Sequence, residues 1–375
     1  MKIGILTFQS SHNCGSMLQA FALQYVLQNL YKQDCEIINY SNQTSRNIYG
    51  LIDLRLNKTG IINNLNRIKH IHSFIDSYKS YNAFLNDHLV TSAEKLFTTK
   101  GLEKIANKYD MIISGGDQIW NVRCGDAGKE YFLNFSQNVK KVAFSPSLGG
   151  SNILKYADNI QEYKKMLNEY SHLSVREPNG QKWLEELTGK HIEIVADPTL
   201  LLTPKIWCEA LPIPEIQGKY IFNYAFYHNR PETNKILQQI SQRTNMPIYT
   251  IDYKSFAIYK LSKYGFKKYS TTGPLAFLGL MKNATLVLTQ SFHGTLFSAL
   301  FNRTFWSYNW KGVHNAEDDR AISILKQLGL EDRYQMIEDL ENNNNILKEI
   351  DYNKVNTRIE NLRQHAFDYL KICLK

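Results

Sequence analysis

The chain has no cysteine pattern. Its five cysteines, Cys14, Cys35, Cys124, Cys208 and Cys373, are scattered, odd in number and never spaced C-x-x-C. That excludes a disulfide framework and a structural zinc site. Long apolar runs are also missing. The opening Met1-Lys2-Ile3-Gly4-Ile5-Leu6-Thr7-Phe8 is too short an apolar stretch for a signal peptide or a membrane span, and it reads as a first β-strand. The expected compartment is a reducing cytoplasm, with the inner face of the membrane as a second address. No G-x-G-x-x-G, P-loop, H-E-x-x-H or G-x-S-x-G motif occurs. His70 and His72 lie close together, but no third ligand is near them. Neither a metal nor a cofactor is expected.

The formal charge is +9 over 375 residues. This excess is moderate and lacks the density of a dedicated nucleic-acid binder. It suits an anionic substrate, a loosely attracted anionic membrane, or simply a solubilising surface. Aromatic and basic residues interleave at Tyr253, Lys254, Tyr259, Lys260, Lys263, Tyr264, Lys267 and Lys268. A solvated amphipathic face accounts for that mixture, and no nucleic-acid partner is expected.

What is present is alternation. Strand-like segments at Ile3–Phe8, Cys35–Tyr40, Tyr109–Ser114, Val142–Ser145, His172–Val175, Ile192–Ala196, Tyr220–Phe226, Pro247–Ile251 and Ala284–Leu288 alternate with helix-like stretches. Such βαβ order implies mainly parallel sheets. The length asks for two cores. The expected division is residues 1–170, residues 171–340 and a helical tail at 341–375 that can cross back to the first domain. Pro198, Pro204, Pro212 and Pro214 cluster near the far end of the hinge region. Residues 45–81 form a basic helical insertion, with Ile61, Leu65, Ile68 and His72 at helical spacing and Arg67 and Lys69 off that stripe. It reads as a solvated lid or arm, or as a surface that approaches membrane or glycan phosphates.

Five turns carry the candidate chemistry. Thr289-Gln290-Ser291-Phe292-His293-Gly294-Thr295 stands where a buried strand hands over to a helix. Ligands of open parallel sheets bind there, helix N-termini favour anions, and a histidine can trade protons near neutral pH. Asn13, Gly15 and Ser16 form a second strand-to-helix turn that can present N–H groups to an anion, although taken alone it reads first as an ordinary helix cap. At Gly115-Gly116-Asp117-Gln118-Ile119-Trp120, Asp117 can accept a proton and Trp120 can face a sugar; the bland reading is a tight turn with a core tryptophan. Arg176, before Glu177, is suited to carboxylate or phosphate, unless the two merely pair. Asp197-Pro198 reads first as a structural turn opener.

These pieces in order resemble the polysaccharide pyruvyl transferase family. The resemblance rests on Asn13-Cys14-Gly15-Ser16 with Leu18-Gln19-Ala20, on Gly115 to Trp120, on Ser174-Val175-Arg176-Glu177, on Asp197-Pro198-Thr199-Leu200-Leu201, and on Ser291-Phe292-His293-Gly294. It spans about Ile3 to Arg320. It implies an α/β fold of two Rossmann-like domains facing a cleft, as in GT-B glycosyltransferases. It also implies phosphoenolpyruvate as donor and a sugar, often lipid-linked or within a surface glycan, as acceptor. His293 then matches the catalytic histidine, either as the acid or as a group that stabilises the departing phosphate, and Arg176 resembles the arginine that holds the donor; Asp117 is our own candidate base for the sugar hydroxyl. Many members carry arginine two places before the histidine; here that place is Ser291. Arg176, Lys311 and Arg320 are the candidates to supply the missing charge. The competing readings are a glycosyltransferase that uses a nucleotide sugar, and a non-catalytic binding module.

Overall fold

The computed structural model describes residues 1–136, 138–313 and 318–375. The first half opens with β1 (Lys2–Leu6), the helix α1 (Cys14–Tyr25) and β2 (Asp34–Ile37). Three helices follow, α2 (Gln43–Tyr49), α3 (Lys58–Lys69) and α4 (Ile71–His88), then β3 (Met111–Gly115) and β4 (Lys140–Phe144). The four strands run parallel in the order β2-β1-β3-β4. The short parallel pair β5 (Ser174–Val175) and β6 (Glu193–Ile194) continues beyond β4. It is joined through a bridge between Val142 and His172 and a bond from Ser171 N to Lys141 O. This two-stranded sheet therefore lies against the β4 edge of the first sheet.

The second half is one parallel sheet of six strands. They are β7 (Ile221–Tyr224), β8 (Ile248–Thr250), β9 (Phe266–Lys268), β10 (Leu286–Thr289), β11 (Phe305–Asn309) and β12 (Tyr334–Met336), in the order β12-β11-β10-β7-β8-β9. Each sheet reverses its winding once. In the first, β1 and β3 are neighbours although β2 lies between them in the chain; in the second, β7 and β10 are neighbours. A crevice opens at such a reversal, outside the carboxyl ends of the strands. The two reversals fix where a ligand site can lie in each half.

The halves share a core. Phe21 on α1 packs on Trp207 at 5.7 Å, Trp207 on Phe297 at 5.4 Å, and Phe297 on Phe277 at 5.3 Å, so one aromatic chain crosses the seam. The last helix, Tyr352–Cys373, returns to the first half. Its Tyr369 hydroxyl donates to Ala143 O at 3.0 Å, and its Cys373 carbonyl accepts from Lys140 Nζ at 2.8 Å.

One expectation is corrected here. Trp120 offers no face to a sugar, because it is fully buried. It stacks on Phe132 at 5.0 Å and donates to Tyr131 O at 3.0 Å. Apolar area and a satisfied indole N–H make it a core anchor for the turn that carries Asp117. Trp120→Ala is expected to cost about 3–5 kcal/mol in urea unfolding; a cost under about 1 kcal/mol would show that the ring is not an anchor.

Candidate active site

The site is built from two helix starts that meet across the seam. Asn13 caps α1, its side chain accepting from Gly15 N at 2.9 Å and Ser16 N at 3.3 Å. Ser291 caps the helix Phe292–Leu300 by accepting from Gly294 N at 3.3 Å. Each cap satisfies part of the first turn, and the first N–H groups of any helix lack partners within it. The two starts approach so closely that a Cβ on Gly15 would lie 2.1 Å from His293 Nδ1. Only glycine allows this contact. A Cβ on Gly294 would lie 2.1 Å from Thr289 Oγ1, so the second turn is equally tight.

His293 is held from behind. Its Nε2 lies 3.4 Å from Asp197 Oδ2, and the same oxygen accepts from Arg176 Nη1 at 2.6 Å. The other oxygen, Asp197 Oδ1, accepts from Thr199 N at 3.0 Å and Thr199 Oγ1 at 2.7 Å. Burial alone would raise this carboxyl, but His293, Arg176 and the Thr199 N–H outweigh it and hold Asp197 well below the ordinary carboxylate range. Asp197 is therefore an anion in the folded protein at neutral pH.

Arg176 is not on the cleft wall. Its Cζ lies over the Phe292 ring, 4.1 Å from the centroid, and its Nε is 3.9 Å from Glu177 Oε2. Glu177 Oε1 in turn accepts from Leu148 N at 2.6 Å and Ser147 Oγ at 3.0 Å. Burial pushes the Glu177 carboxyl up against the pull of Arg176 and Arg320. With a carboxylate on each side, Arg176 has its charge answered from within. It holds Asp197, and through it His293, by Nη1, while its Nε and Nη2 have no hydrogen-bond partner among the described residues.

The cleft itself has a volume of about 710 Å³ and draws on both reversals. Asn13, Asp117 and Gln118 come from the first half; Phe226, Tyr227, Gln290, Ser291, His293 and Arg320 come from the second. Asp117 adopts a left-handed backbone (φ +52°) next to Gly116 (φ +66°). A Cβ at Gly116 would run into Gln19 Oε1 at 1.7 Å. The Asp117 carboxylate accepts from Ser16 Oγ and from Gln118 N at 2.8 Å. Asp117 thus ties the second turn of its half to the start of α1. Arg320 forms a two-point pair with Asp318, both contacts at 2.7 Å.

Other candidates lie elsewhere. Lys311 is exposed and paired with Asp339 at 2.7 Å, so it is corrected from a cleft residue to a surface ion pair. Gly115 is buried in β3, where a Cβ would press on Leu23 Cδ2 at 2.9 Å. Thr295 is fully buried and bonded to Ser291 O and Ser307 Oγ, both at 3.1 Å. It braces the histidine turn from within.

Several wall residues carried no sequence signal. Trp310 and Tyr227 meet edge to face at 5.1 Å, and Arg230 lies over Trp310 at 4.5 Å. Among the described residues no carboxylate pairs with Arg230. Asp197 was visible only as an Asp-Pro turn. The same oxygen that caps its turn leaves the second free for His293, and only the fold reveals that second task.

Two measurements test this geometry. Gly15→Ala is expected to push the imidazole aside and cut turnover about a hundredfold, the usual cost of a misplacement near 1 Å, and to cost about 1–3 kcal/mol in unfolding as an overpacked contact; full turnover would separate α1 from the chemistry. Asp197→Asn is expected to cost about 3–5 kcal/mol at neutral pH, since it strands a buried guanidinium. The sign with pH follows from the lowered carboxyl. The wild-type advantage is present above the ordinary value of 3.8 and is lost as pH falls through the lower folded value. An advantage that instead grew below that value would contradict an ionised Asp197.

Comparison with known proteins agrees with this architecture. A search of curated proteins by sequence finds no match. Among solved structures, a Methanocaldococcus jannaschii UDP-GlcNAc 2-epimerase in complex with UDP-GlcNAc and UDP aligns with a TM-score of 0.52 at 15% identity, covering 97% of this chain and 100% of that one. S. aureus MnaA, in its UDP co-structure, aligns with a TM-score of 0.53 at 9% identity, covering 100% and 98%. At these identities the likeness concerns the fold alone, the GT-B arrangement of two Rossmann-like halves. The family model for polysaccharide pyruvyl transferases matches residues 13–312, from the Asn13 cap to just beyond the cleft strand β11. The chain belongs to the polysaccharide pyruvyl transferase family.

Proposed function

We propose that the cleft transfers the pyruvyl group of phosphoenolpyruvate to two hydroxyls of a sugar in a surface polysaccharide or a lipid-linked precursor, forming a cyclic ketal. The observation that carries this reading is His293, placed between the Asp197 carboxylate and the start of α1. Asp197 beside Nε2 fixes the orientation of the ring. Nδ1, on the α1 side, is then the atom that delivers the proton to the methylene carbon of the enol. The carbon next to the carboxylate gains oxocarbenium character, and a sugar hydroxyl attacks it. Asp117 accepts the hydroxyl proton. Phosphate departs and the second hydroxyl closes the ketal. One hydroxyl proton is matched by the new methyl group, and the other leaves with phosphate.

The donor carries two anionic groups. Arg320 and the two helix starts are the groups on the wall suited to them, with Arg230 at the rim. Preorganised donors of this kind stabilise developing charge without reorganising at the moment of reaction. The polysaccharide acceptor belongs to the family as a whole; the donor and the ketal are this proposal. A second reading, glycosyl transfer from a nucleotide sugar, is favoured by the aromatic wall of Phe226, Tyr227 and Trp310, which can stack a base, and by Ser291 at the place where the family resemblance leads one to expect arginine.

Candidate lipid-linked sugars incubated with phosphoenolpyruvate should gain one pyruvyl ketal by mass spectrometry. No adduct, together with stabilisation by a UDP-sugar and none by phosphoenolpyruvate, would favour the second reading. His293→Ala is expected to abolish phosphate release in a folded protein. Arg320→Ala removes one charge-assisted contact of about 1.5–3 kcal/mol, so donor Kd is expected to rise roughly ten- to hundredfold. An unchanged Kd would move the anion clamp elsewhere.

A further inference from the structure

The arm that precedes β3 is amphipathic in the wrong direction for a helix packed on a protein. On α3 the apolar stripe Ile61, Leu65 and Ile68, spaced i, i+4, i+7, faces solvent, with Ile68 70% and Leu65 61% exposed. The inward face is polar. Gly60 lies against the Arg55 backbone, where a Cβ would be 2.1 Å from the carbonyl oxygen. Asn63 Nδ2 donates to Asp53 Oδ2 at 2.9 Å, and Asn64 Nδ2 to Asp53 O at 2.9 Å. Arg67 is buried and donates to Asn47 O at 2.6 Å and Ile48 O at 3.3 Å. These bonds lock the rotation of α3, so the outward apolar face is built rather than incidental.

The loop ahead of α3 adds to it, with Ile52 and Leu54 exposed and Leu56 102% exposed. Of the nineteen exposed large apolar side chains among the described residues, nine lie within residues 48–71. Scattered exposure needs no explanation, but a cluster of this density does. Residues 43–75 carry five cations, Arg46, Arg55, Lys58, Arg67 and Lys69, and a single acid, Asp53. That acid is buried and tied to Arg55 at 2.5 Å and to Asn63. Lys58 and Lys69, at the two ends of α3, are exposed.

We infer that this face docks on an anionic lipid surface, lying in the interface with its aliphatic side chains among the acyl chains and its lysines at the headgroups. Charge decides the occupant. A second copy bound through the same patch would set like charges against each other, whereas an anionic leaflet answers them. Among the described residues no helix is long and apolar enough to cross a membrane, so the attachment is in plane. The inner side of the arm roofs the β1–α1 turn. His12 stacks on Tyr81 at 4.9 Å and touches Tyr49 and Tyr78, both at 5.6 Å. Docking would therefore hold the cleft beside the bilayer, a consequence that matters to a lipid-linked acceptor but does not depend on one.

The test is flotation of the full chain with vesicles. Phosphatidylcholine with about one third phosphatidylglycerol should carry the protein upward, and phosphatidylcholine alone should carry roughly tenfold less or more weakly still. Leu65→Gln with Ile68→Gln, and separately Lys58→Glu with Lys69→Glu, should each cut binding to the anionic vesicles at least about tenfold while circular dichroism and the thermal midpoint stay unchanged. These sites are exposed, so neither pair endangers the fold. Wild-type protein that stays at the bottom with anionic vesicles overturns the inference. So does dimerisation in lipid-free solution that the Leu65 and Ile68 pair abolishes, which would give the face to a second copy. Neither outcome touches the ketal assay.

Discussion

Everything in the site depends on one contact, the backbone of Gly15 against the imidazole of His293. It brings together two helix starts from opposite halves of the molecule. A helix start is a weak anion site alone, because it offers a few N–H groups and half a charge. Two starts converge on one cleft, with a histidine between them. The shared aromatic chain from Phe21 to Phe277 keeps the halves at this separation. The returning helix Tyr352–Cys373 ties them a second time, through Arg363 Nε to Leu200 O at 2.6 Å and Tyr369 to Ala143.

The second constraint is the buried carboxylate of Asp197. Burying a carboxylate is costly unless cations and N–H groups surround it. Here both oxygens are used, one to cap its own turn and one between Arg176 and His293. One nitrogen of the Arg176 guanidinium is thereby committed to Asp197. This alters the reading of the missing arginine at Ser291. Arg176 sits behind the cleft wall; the wall itself carries Arg320, paired with Asp318, and Arg230 lies over the wall residue Trp310 with no carboxylate partner among the described residues. Under the proposed function, oriented N–H groups and the histidine are what such a site has to offer an anion beside Arg320.

The sequence showed much of the frame because parallel sheets with both faces covered leave continuous apolar runs, such as Met111-Ile112-Ile113 and Leu286-Val287-Leu288. The strands that escaped notice lack such runs for physical reasons. Phe266–Lys268 is a sheet edge with one buried residue and two exposed lysines. Phe305–Asn309 buries Ser307 against Thr295, so its pattern is broken by a polar pair. The turns after β1, β3 and β10 could be located because strand, turn and helix follow one another closely. Trp120 and Lys311 were misjudged because proximity along the chain says nothing about the direction of a side chain. Asp197 was underrated because its turn-capping role hid its second partner. The polar lining of α3 could not be foreseen either, since a helical stripe of Ile61, Leu65 and Ile68 ordinarily points inward.

Hydrogen exchange with and without phosphoenolpyruvate tests the central claim most directly. If the donor lies between the two helix starts, amides of residues 13–19 and of residues 291–300 should gain protection together on binding. Protection confined to one half of the molecule, with the other helix start unaffected at saturating donor, would contradict a site shared across the seam.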